Sequence, residues 1–572
     1  MASSNDLGIL HSSDILVIGG SIAGLVTAIR AKENNSDLDV LVVDKGTIGW
    51  TGQATKAGNG FLVSAPDQPI EKLAEFVIKE NGEYLNDQEF LLDHISTNLR
   101  SAEFIDHCGV KISKNPDGSI KYFRQPSNLW SVLGIELNNC QALRKHALKI
   151  GVRLLSRVQI FELLTQDKRV IGGIGFDVDH MDCYVFHAKA VAIATHGAHF
   201  KKMGGQFMAY GNGMGAAYRV GARMRNAEFS TEPDIVSKAI YTPIYGACNV
   251  ICNKNGENIS QIYAPNKEEC MTPLCLGMYK EVQEGRGPLY ADLLNPDPVL
   301  LFVGYKNNIN DQRLFPDKIN WTNYAKKKSA KYGRPLDKEK PEVTVRFQLQ
   351  AECVRVDREY RTNVEGLWAS GKISSMGSAY FGFVRGDGLG FAAQAGIRAA
   401  DSMTKYIALA DQSELDVDEV KTLKEKIYAP LHRKTSRSPL EIFDTIEKMA
   451  YHIDKMMAKT DESIRVVLAE IEEMYSIVPE LSADDAHTLA KCHEAADSAL
   501  ALEMIYRAAL MRKESRGGRY RSHRMDYPER DDKNWLKWIN IQQGEEGKME
   551  LFTEDIPMER YPFKPEGYVS AN

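Results

Sequence analysis

The chain has 572 residues, 43% of them hydrophobic and 26% charged, with a net charge of −6. This length predicts several domains or one large domain with insertions, the composition is that of an ordinary soluble protein, and the negative balance argues against general nucleic-acid binding. No apolar run approaches ~18 residues and the start, MASSNDLGILHSSD, lacks a basic stretch followed by an apolar one, so neither a membrane span nor a secretory signal is expected; nine scattered cysteines fit reduced thiols in a cytoplasm.

The first element lies in Asp14–Gly24, DILVIGGSIAG. Ile15–Ile18 is an apolar run of the kind that forms a buried parallel strand. Gly19 and Gly20 supply a tight turn, and Ala23 and Gly24 let a following helix pack closely. Backbone N–H groups at that helix start can hold a pyrophosphate. A second apolar run, Val40–Val43, ends in Asp44, twenty residues past Gly24, where a carboxylate can accept hydrogen bonds from a ribose. These features predict a dinucleotide-binding βαβ unit. Ser21 departs from G-x-G-x-x-G but is small enough to keep the approach open.

Apolar spacing predicts helices over 85–110 and 140–150. Four strand-like runs follow, Val158–Leu164, Val170–Val178, Cys183–Ala188 and Ala190–Thr195. They predict a small antiparallel sheet leading back to a parallel core strand that ends at Thr195-His196-Gly197. The stretch GNGMGAAYRVGARMRNAEF, 211–229, opens as a helix and closes on Glu228. From about 233 to 345 Asn, Lys, Pro and Tyr rise and long apolar runs fall, as in an inserted second domain. The first pattern returns in VDREYRTNVEGLWASGK, 356–372, and in a helix from Gly386–Gly390 through Ala399 and Ala400. Residues from about 404 to 515 are predicted to be helical, and the tail from 525 is polar and aromatic, with Trp535 and Trp538. Cys248-x3-Cys252 and Cys270-x4-Cys275 match neither a zinc-ribbon nor a ferredoxin spacing, and no metal site is expected.

Four pieces together resemble the flavoprotein subunits of the succinate dehydrogenase and fumarate reductase superfamily: VIGGSIAG with VVDKG; AVAIATHGA; VEGLWASGK with GDGLGFAAQAG; and KESRGGRYRSHRMDYPERDDKNW. Within it, VQIFELL, VIGGIGFDV, YVFHAKAVAIAT, MTPLCLGMYKEVQEGRGPLY and the KESR segment are most similar to the adenylylsulfate reductase alpha subunit. The resemblance implies an α/β fold: a Rossmann-like FAD-binding domain (10–232 and 346–403), an inserted α+β capping domain (233–345), a C-terminal helical domain (404–525) and a tail (526–572).

It also implies FAD. Gly19, Gly20, Ser21, Ala23, Gly24, Asp44 and Lys45 are expected at the nucleotide, with Thr195, His196 and Gly197 at a second turn. Thr51, Gly52, Lys56, Ala57 and Gly58 would lie along the flavin, and Gly386, Gly388 and Leu389 would start a helix aimed at it. Relatives that bind FAD covalently use a histidine in the stretch matching GTIGWTGQATKAGNG, which has none, so the FAD is expected to be noncovalent. Gly371 precedes Lys372, which stands where the family has Glu or Asp in A-x-G-[ED]. The Lys372 amine either bonds a ribityl hydroxyl or phosphate, or turns to solvent.

The catalytic positions diverge. Gln348 stands at the His of H-Y-T-M-G-G, Met271 at the capping-domain Arg, and Gly382 and Phe383 near the last His and Arg; T-P-L-R is T-P-L-C at Cys275. None of these can clamp a carboxylate or donate a proton as the family residues do. The candidates for a changed pocket are Tyr380, Phe381 and Arg385 before the glycine-rich helix, Arg516 and Arg524 in the basic run 512–530, and His196 and His199. Three readings stay open. The first is a flavoprotein that exchanges electrons between a small polar or anionic substrate and a ferredoxin-like iron–sulfur partner. The second is a self-contained flavin enzyme, and the third a noncatalytic paralogue. An oligomer is expected.

Overall fold

The structure, a computed structural model, describes residues 7–55, 60–124, 127–200, 210–239, 250–265, 271–292, 331, 339–378, 387–449, 452–517 and 522–569. Lys56, Ala57, Gly58, Cys248, Cys270, Tyr380, Phe381, Gly382, Phe383, Arg385 and Gly386 lie outside the described residues.

The dinucleotide unit forms strand β1 (Ile9–Ile18), helix α1 (Ile22–Asn34) and strand β2 (Val40–Asp44). The chain continues through helices α2 (Gln88–His107) and α3 (Asn139–Lys149), and strands β3 (Arg153–Ser156), β4 (Val158–Gln166), β5 (Arg169–Asp177) and β6 (Cys183–Ile193). After helix α4 (Asn212–Arg219), strand β7 (Thr231–Ser237) leads away and strand β8 (Glu342–Ala351) returns. Strand β9 (Leu367–Ala369) and helix α5 (Asp387–Ile407) complete this part.

The central sheet has seven strands, in the order β3-β2-β1-β6-β5-β4, with β9 also paired to β6. β1 runs parallel to β2 (Ile15 against Val40) and to β6 (Ile18 against Ile193). Ile15, Leu16 and Val17 are fully buried, as expected for a strand covered on both faces. The runs expected as two strands, 183–188 and 190–195, are one. β6 pairs with β1 along its length, while its other edge meets β5 first (Gly173 against Phe186) and then β9 (Leu367 against Val191). Lys189, which separates the two runs, pairs with Asp14 at 2.9 Å. The antiparallel strands therefore extend the parallel sheet rather than forming a sheet of their own.

β7 and β8 pair antiparallel from Thr231–Leu349 to Ser237–Val343, so the chain leaves and re-enters through two joined strands. Helices α6 (Asp461–Ile477) and α7 (Ala486–Met511) pack together in the C-terminal part. Their starts carry reciprocal side-chain caps, Thr460 with Ser463 and Asp485 with Thr488. The tail, expected to be polar and aromatic, carries regular structure. Strands β10 (Lys537–Gln543) and β11 (Met549–Asp555) form a hairpin that pairs with Met224–Arg225, and the buried Trp538 donates its indole N–H to the Leu85 carbonyl at 2.7 Å.

One buried pair fastens α2 to the start of α5. His94 Nε2 lies 3.0 Å from both carboxylate oxygens of Asp387, and His94 Nδ1 meets Gln394 of the same helix. Burial pushes the imidazole pKa down, but the Asp387 charge outweighs it and the pKa is raised. A histidine of this kind contributes stability fully below its unfolded pKa of about 6.5 and loses it as pH climbs through the higher folded value. Denaturation measured across pH should show the wild-type advantage over His94→Gln shrinking as pH rises above about 6.5. Parallel profiles would show that no proton is held there.

Candidate cofactor site and its buried charges

The parallel pairing of β1 and β6 brings two turns together. Gly19 has φ +114°, and a Cβ there would sit 2.6 Å from the Ala194 carbonyl oxygen. Gly52 has φ +96°, and its Cβ would meet Ser21 at 2.8 Å, so the loop after β2 closes on the α1 N-terminus. Ser21 is the N-cap of α1 but makes no side-chain capping bond, and no acid lies in the first turn. The positive end of the helix is therefore not neutralised by its own sequence. Gly20 N–H donates to Asp44 Oδ2 at 2.6 Å, and Gly46 N–H to Oδ1 at 2.7 Å. Asp44 thus holds the turn itself, while two carboxylate oxygens retain acceptor capacity for a ribose. Thr51 Oγ donates to the Thr47 carbonyl at 3.0 Å and lies 3.4 Å from Asp44 Oδ1.

Thr195 Oγ1 is buried and has no hydrogen-bond partner among the described residues. It follows β6 at the same sheet edge as Gly19. An orphaned hydroxyl, an open helix N-terminus and glycines that admit no Cβ together fit the pyrophosphate end of a dinucleotide. Gly371 packs on Ala23, where a Cβ would come within 2.7 Å, and Gly396 of α5 sits equally close to the Ala23 carbonyl. Leu389 is half-buried, and a Cβ on Gly388 would meet nothing within 4 Å among the described residues, whereas Asp387 and Gly390 of the same turn are buried. The ammonium of Lys45, expected at the nucleotide, pairs with buried Glu494 at 2.8 Å.

Beyond Thr195 the site departs from a plain nucleotide pocket. The short strand Ala198–His199 pairs with Gln350–Ala351 of β8, and this places Glu352 beside both histidines. Glu352 Oε1 is 3.6 Å from His196 Nδ1 and 3.5 Å from His199 Nε2. Its Oε2 takes the Lys372 ammonium at 2.8 Å and the Ser375 hydroxyl at 2.5 Å. His199 Nε2 lies 2.9 Å from His196 Nδ1, and His196 Nε2 meets Gln53. Burial by itself would raise the Glu352 pKa, but Lys372 and the two histidines hold it well below the usual carboxylate range. Burial, then the neighbouring His199, pushes His196 well below its ordinary value, so its ring is neutral at neutral pH. His196, His199 and Glu352 have ligand atoms within 4.8 Å of one another. The Lys372 ammonium already supplies the cation, so this set is an ion-paired cluster rather than a metal centre.

Neither of the alternatives for Lys372 anticipated this pairing, and Glu352 was missed. The signal was in the register of H-Y-T-M-G-G. With Gln348 at the histidine, Glu352 falls on the first glycine, and an acid there has to find a buried cation.

The basic run also needs correction. Arg512, Arg516 and Arg524 are fully buried. Arg512 pairs with Glu228 and Glu514, both at 2.8 Å, and Arg516 with Glu514 at 2.7 Å and Asp532 at 2.8 Å. All five N–H donors of Arg524 are engaged, by Asp461, both oxygens of Asp526, and the carbonyls of Ala509 and Arg512. Arg516 and Arg524 are therefore charges of the fold's interior rather than anion-holding groups for a substrate. The same network includes Lys459, whose amine is brought down to about 8 by burial and by Arg524. Cys275, at the position of the T-P-L-R arginine, is buried within helix Met271–Gln283.

Removing one member of a buried ion pair leaves an uncompensated charge and costs about 3–5 kcal/mol. Lys372→Met should lower stability by that amount in chemical denaturation, and Lys372→Met with Glu352→Gln should recover most of the loss. Additive losses would show that the two groups do not act as a pair.

Residues 14–233 match the FAD binding domain family, and residues 448–568 match the fumarate reductase flavoprotein C-terminal family. One subunit of the CoM/CoB fumarate reductase of Methanothermobacter marburgensis is 23% identical over 555 residues, covering 91% of this chain and 95% of that protein. An uncharacterized FAD-dependent oxidoreductase of Methanocaldococcus jannaschii is 22% identical over 539 residues, covering 90% of this chain and 94% of that protein. Among solved structures, the chain superposes on E. coli quinol fumarate reductase with TM-score 0.82 at 18% identity, over 97% of this chain and 98% of that one. It superposes on adenylylsulfate reductase of Archaeoglobus fulgidus with TM-score 0.75 at 20% identity, over 96% and 97%. At these identities the superpositions establish the fold. No helix among the described residues is long and apolar enough to cross a membrane. With its two matched domains spanning more than half of the chain, and a turn built to take the cofactor, the chain belongs to the succinate dehydrogenase and fumarate reductase flavoprotein superfamily and is an FAD-dependent oxidoreductase.

Proposed function

We propose that this chain is the flavoprotein subunit of an oxidoreductase that moves electrons between a small polar or anionic substrate, other than fumarate or succinate, and a separate iron–sulfur protein. One observation carries the reading: the nucleotide turn is intact, while the acid expected beside the cofactor is Lys372, already neutralised by Glu352. Gln348 and Met271 at the family's His and Arg positions agree with it. Without a proton donor or a positive clamp there, a C4 dicarboxylate is neither oriented nor protonated. The buried Cys275 at the T-P-L-R arginine argues in the same way against adenylylsulfate.

Bound FAD would supply a two-electron acceptor or donor. The chain's own part is to hold the pyrophosphate with the Gly19–Ser21 turn and Thr195, hold the ribose with Asp44, and bind the substrate. Arg385 carries that last role. It stands two residues before α5 in the sequence, with Tyr380 upstream, and the 516 and 524 arginines are committed to internal anions. An arginine can pair bidentately with a carboxylate, sulfonate or phosphate. Electron exchange with a partner is supported by relatives named as subunits, in M. marburgensis and, as the flavoprotein of a fumarate reductase, in Wolinella succinogenes.

Acid precipitation should release the yellow cofactor into the supernatant; colour kept in the pellet would mean a covalent flavin. Reduced dye with fumarate should give no useful turnover, and robust turnover would show that the capping-domain register is wrong. Mixing with a metabolite panel under anaerobic conditions, followed by flavin bleaching, identifies the substrate. For that substrate Arg385→Ala should lower kcat/KM by at least about tenfold. Normal single-turnover reduction in that variant would move the anion site elsewhere.

A further inference from the structure

A second cluster lies at the opposite end of α1 from the pyrophosphate turn, about 20 Å away along a 13-residue helix. Glu33 sits in the last turn of α1, His107 ends α2 with Cys108 as its C-cap, and His146 sits in the last turn of α3. Three helix C-termini, each carrying partial negative charge, converge on one spot. Glu33 Oε1 is 3.5 Å from His107 Nε2 and 3.6 Å from His146 Nε2. The ligand atoms of Glu33, Cys108 and His146 lie within 4.8 Å of one another. His146 Nε2 is buried and has no hydrogen-bond partner among the described residues. Cys108 is buried, whereas Glu33 and His107 are exposed, so an ion could enter from solvent.

Separations of 3.5–3.6 Å are long for hydrogen bonds. They are close to the spacing of two ligands that share one tetrahedral ion, about 3.3–3.4 Å for bonds of about 2.0–2.1 Å. A thiolate, imidazole nitrogens and a carboxylate are the donor set of zinc, and the sulfur disfavours magnesium or calcium. We propose that Cys108, His146 and Glu33, with His107 turning in as the fourth ligand, bind a structural zinc ion that clamps the ends of α1, α2 and α3. On binding, the Cys108 thiol gives its proton to solvent and the thiolate sulfur bonds the metal. The site is separate from the flavin and does not depend on which substrate the enzyme uses.

The test is metal analysis of the purified FAD-loaded protein, followed by chelator dialysis and titration with zinc, and with cobalt as an optical probe. The expected result is one zinc per chain, with cobalt giving visible bands to the red of the flavin absorption. Cys108→Ser with His146→Gln should abolish binding. Glu33→Gln and His107→Ala change exposed side chains and should fold normally; each should weaken zinc binding by at least about tenfold while FAD occupancy stays unchanged. Cys183→Ser, a buried thiol elsewhere, should keep full zinc binding. A wild type that takes up no zinc, or Glu33 and His107 variants that bind it as tightly as wild type, would overturn the proposal.

Discussion

The structure depends on the contact between the first glycine after β1 and the carbonyl at the end of β6. Parallel pairing sets Ile18 against Ile193, and the two turns that follow come so close that Gly19 has no room for a Cβ beside Ala194. That approach puts the start of α1, the Asp44 carboxylate and the Thr195 hydroxyl at one sheet edge. It also fixes the rest by packing. α5 lies on α1 through Gly396, the Gly371 turn rests on Ala23, and His94 ties α2 to the first residue of α5. A change at Gly19 would therefore disturb the cofactor turn and the helices around it together.

The second organising fact is where the charges go. A run of arginines in a sequence invites the idea of an anion site, but Arg512, Arg516 and Arg524 are matched by the buried Glu228 and Glu514 and by the partly exposed Asp461, Asp526 and Asp532. Lys372 is matched in the same way by Glu352, while the partly exposed Lys45 neutralises the buried Glu494. A buried cation without a partner is costly, so these pairings are what permit the positive residues to be there at all. They also take these cations out of the set of side chains available to an external anion.

The nucleotide unit was legible because its signals are local: an apolar run, glycines, a helix and a terminal acid at fixed spacing. The two apolar runs of β6 are separated by Lys189, whose charge is met by Asp14 across the strands, so the strand continues through it. The C-terminal hairpin was hidden by its polar composition; only its partners, Met224–Arg225 and Leu85, explain why Trp538 is buried. Glu352 came into view through the pairing of Ala198 with Ala351, and the Cys108, His146 and Glu33 group through three helix ends. The second leaves no pattern in a single window of residues, and the first leaves only an acid at a glycine position of H-Y-T-M-G-G. The limits of the sequence reading were therefore those of long-range pairing, which periodicity does not carry.

A nucleotide turn that departs from the glycine pattern only mildly, at Ser21, sits beside a rebuilt, ion-paired surrounding. An experimental structure of the FAD-loaded protein tests it most directly. The account predicts the pyrophosphate between the α1 N-terminus and Thr195, with the Thr195 hydroxyl now hydrogen-bonded, the ribose on Asp44, and Lys372 still paired with Glu352. A pyrophosphate bound away from Gly19 and Thr195, or a Lys372 released from Glu352 to hold the cofactor as its main partner, would contradict it.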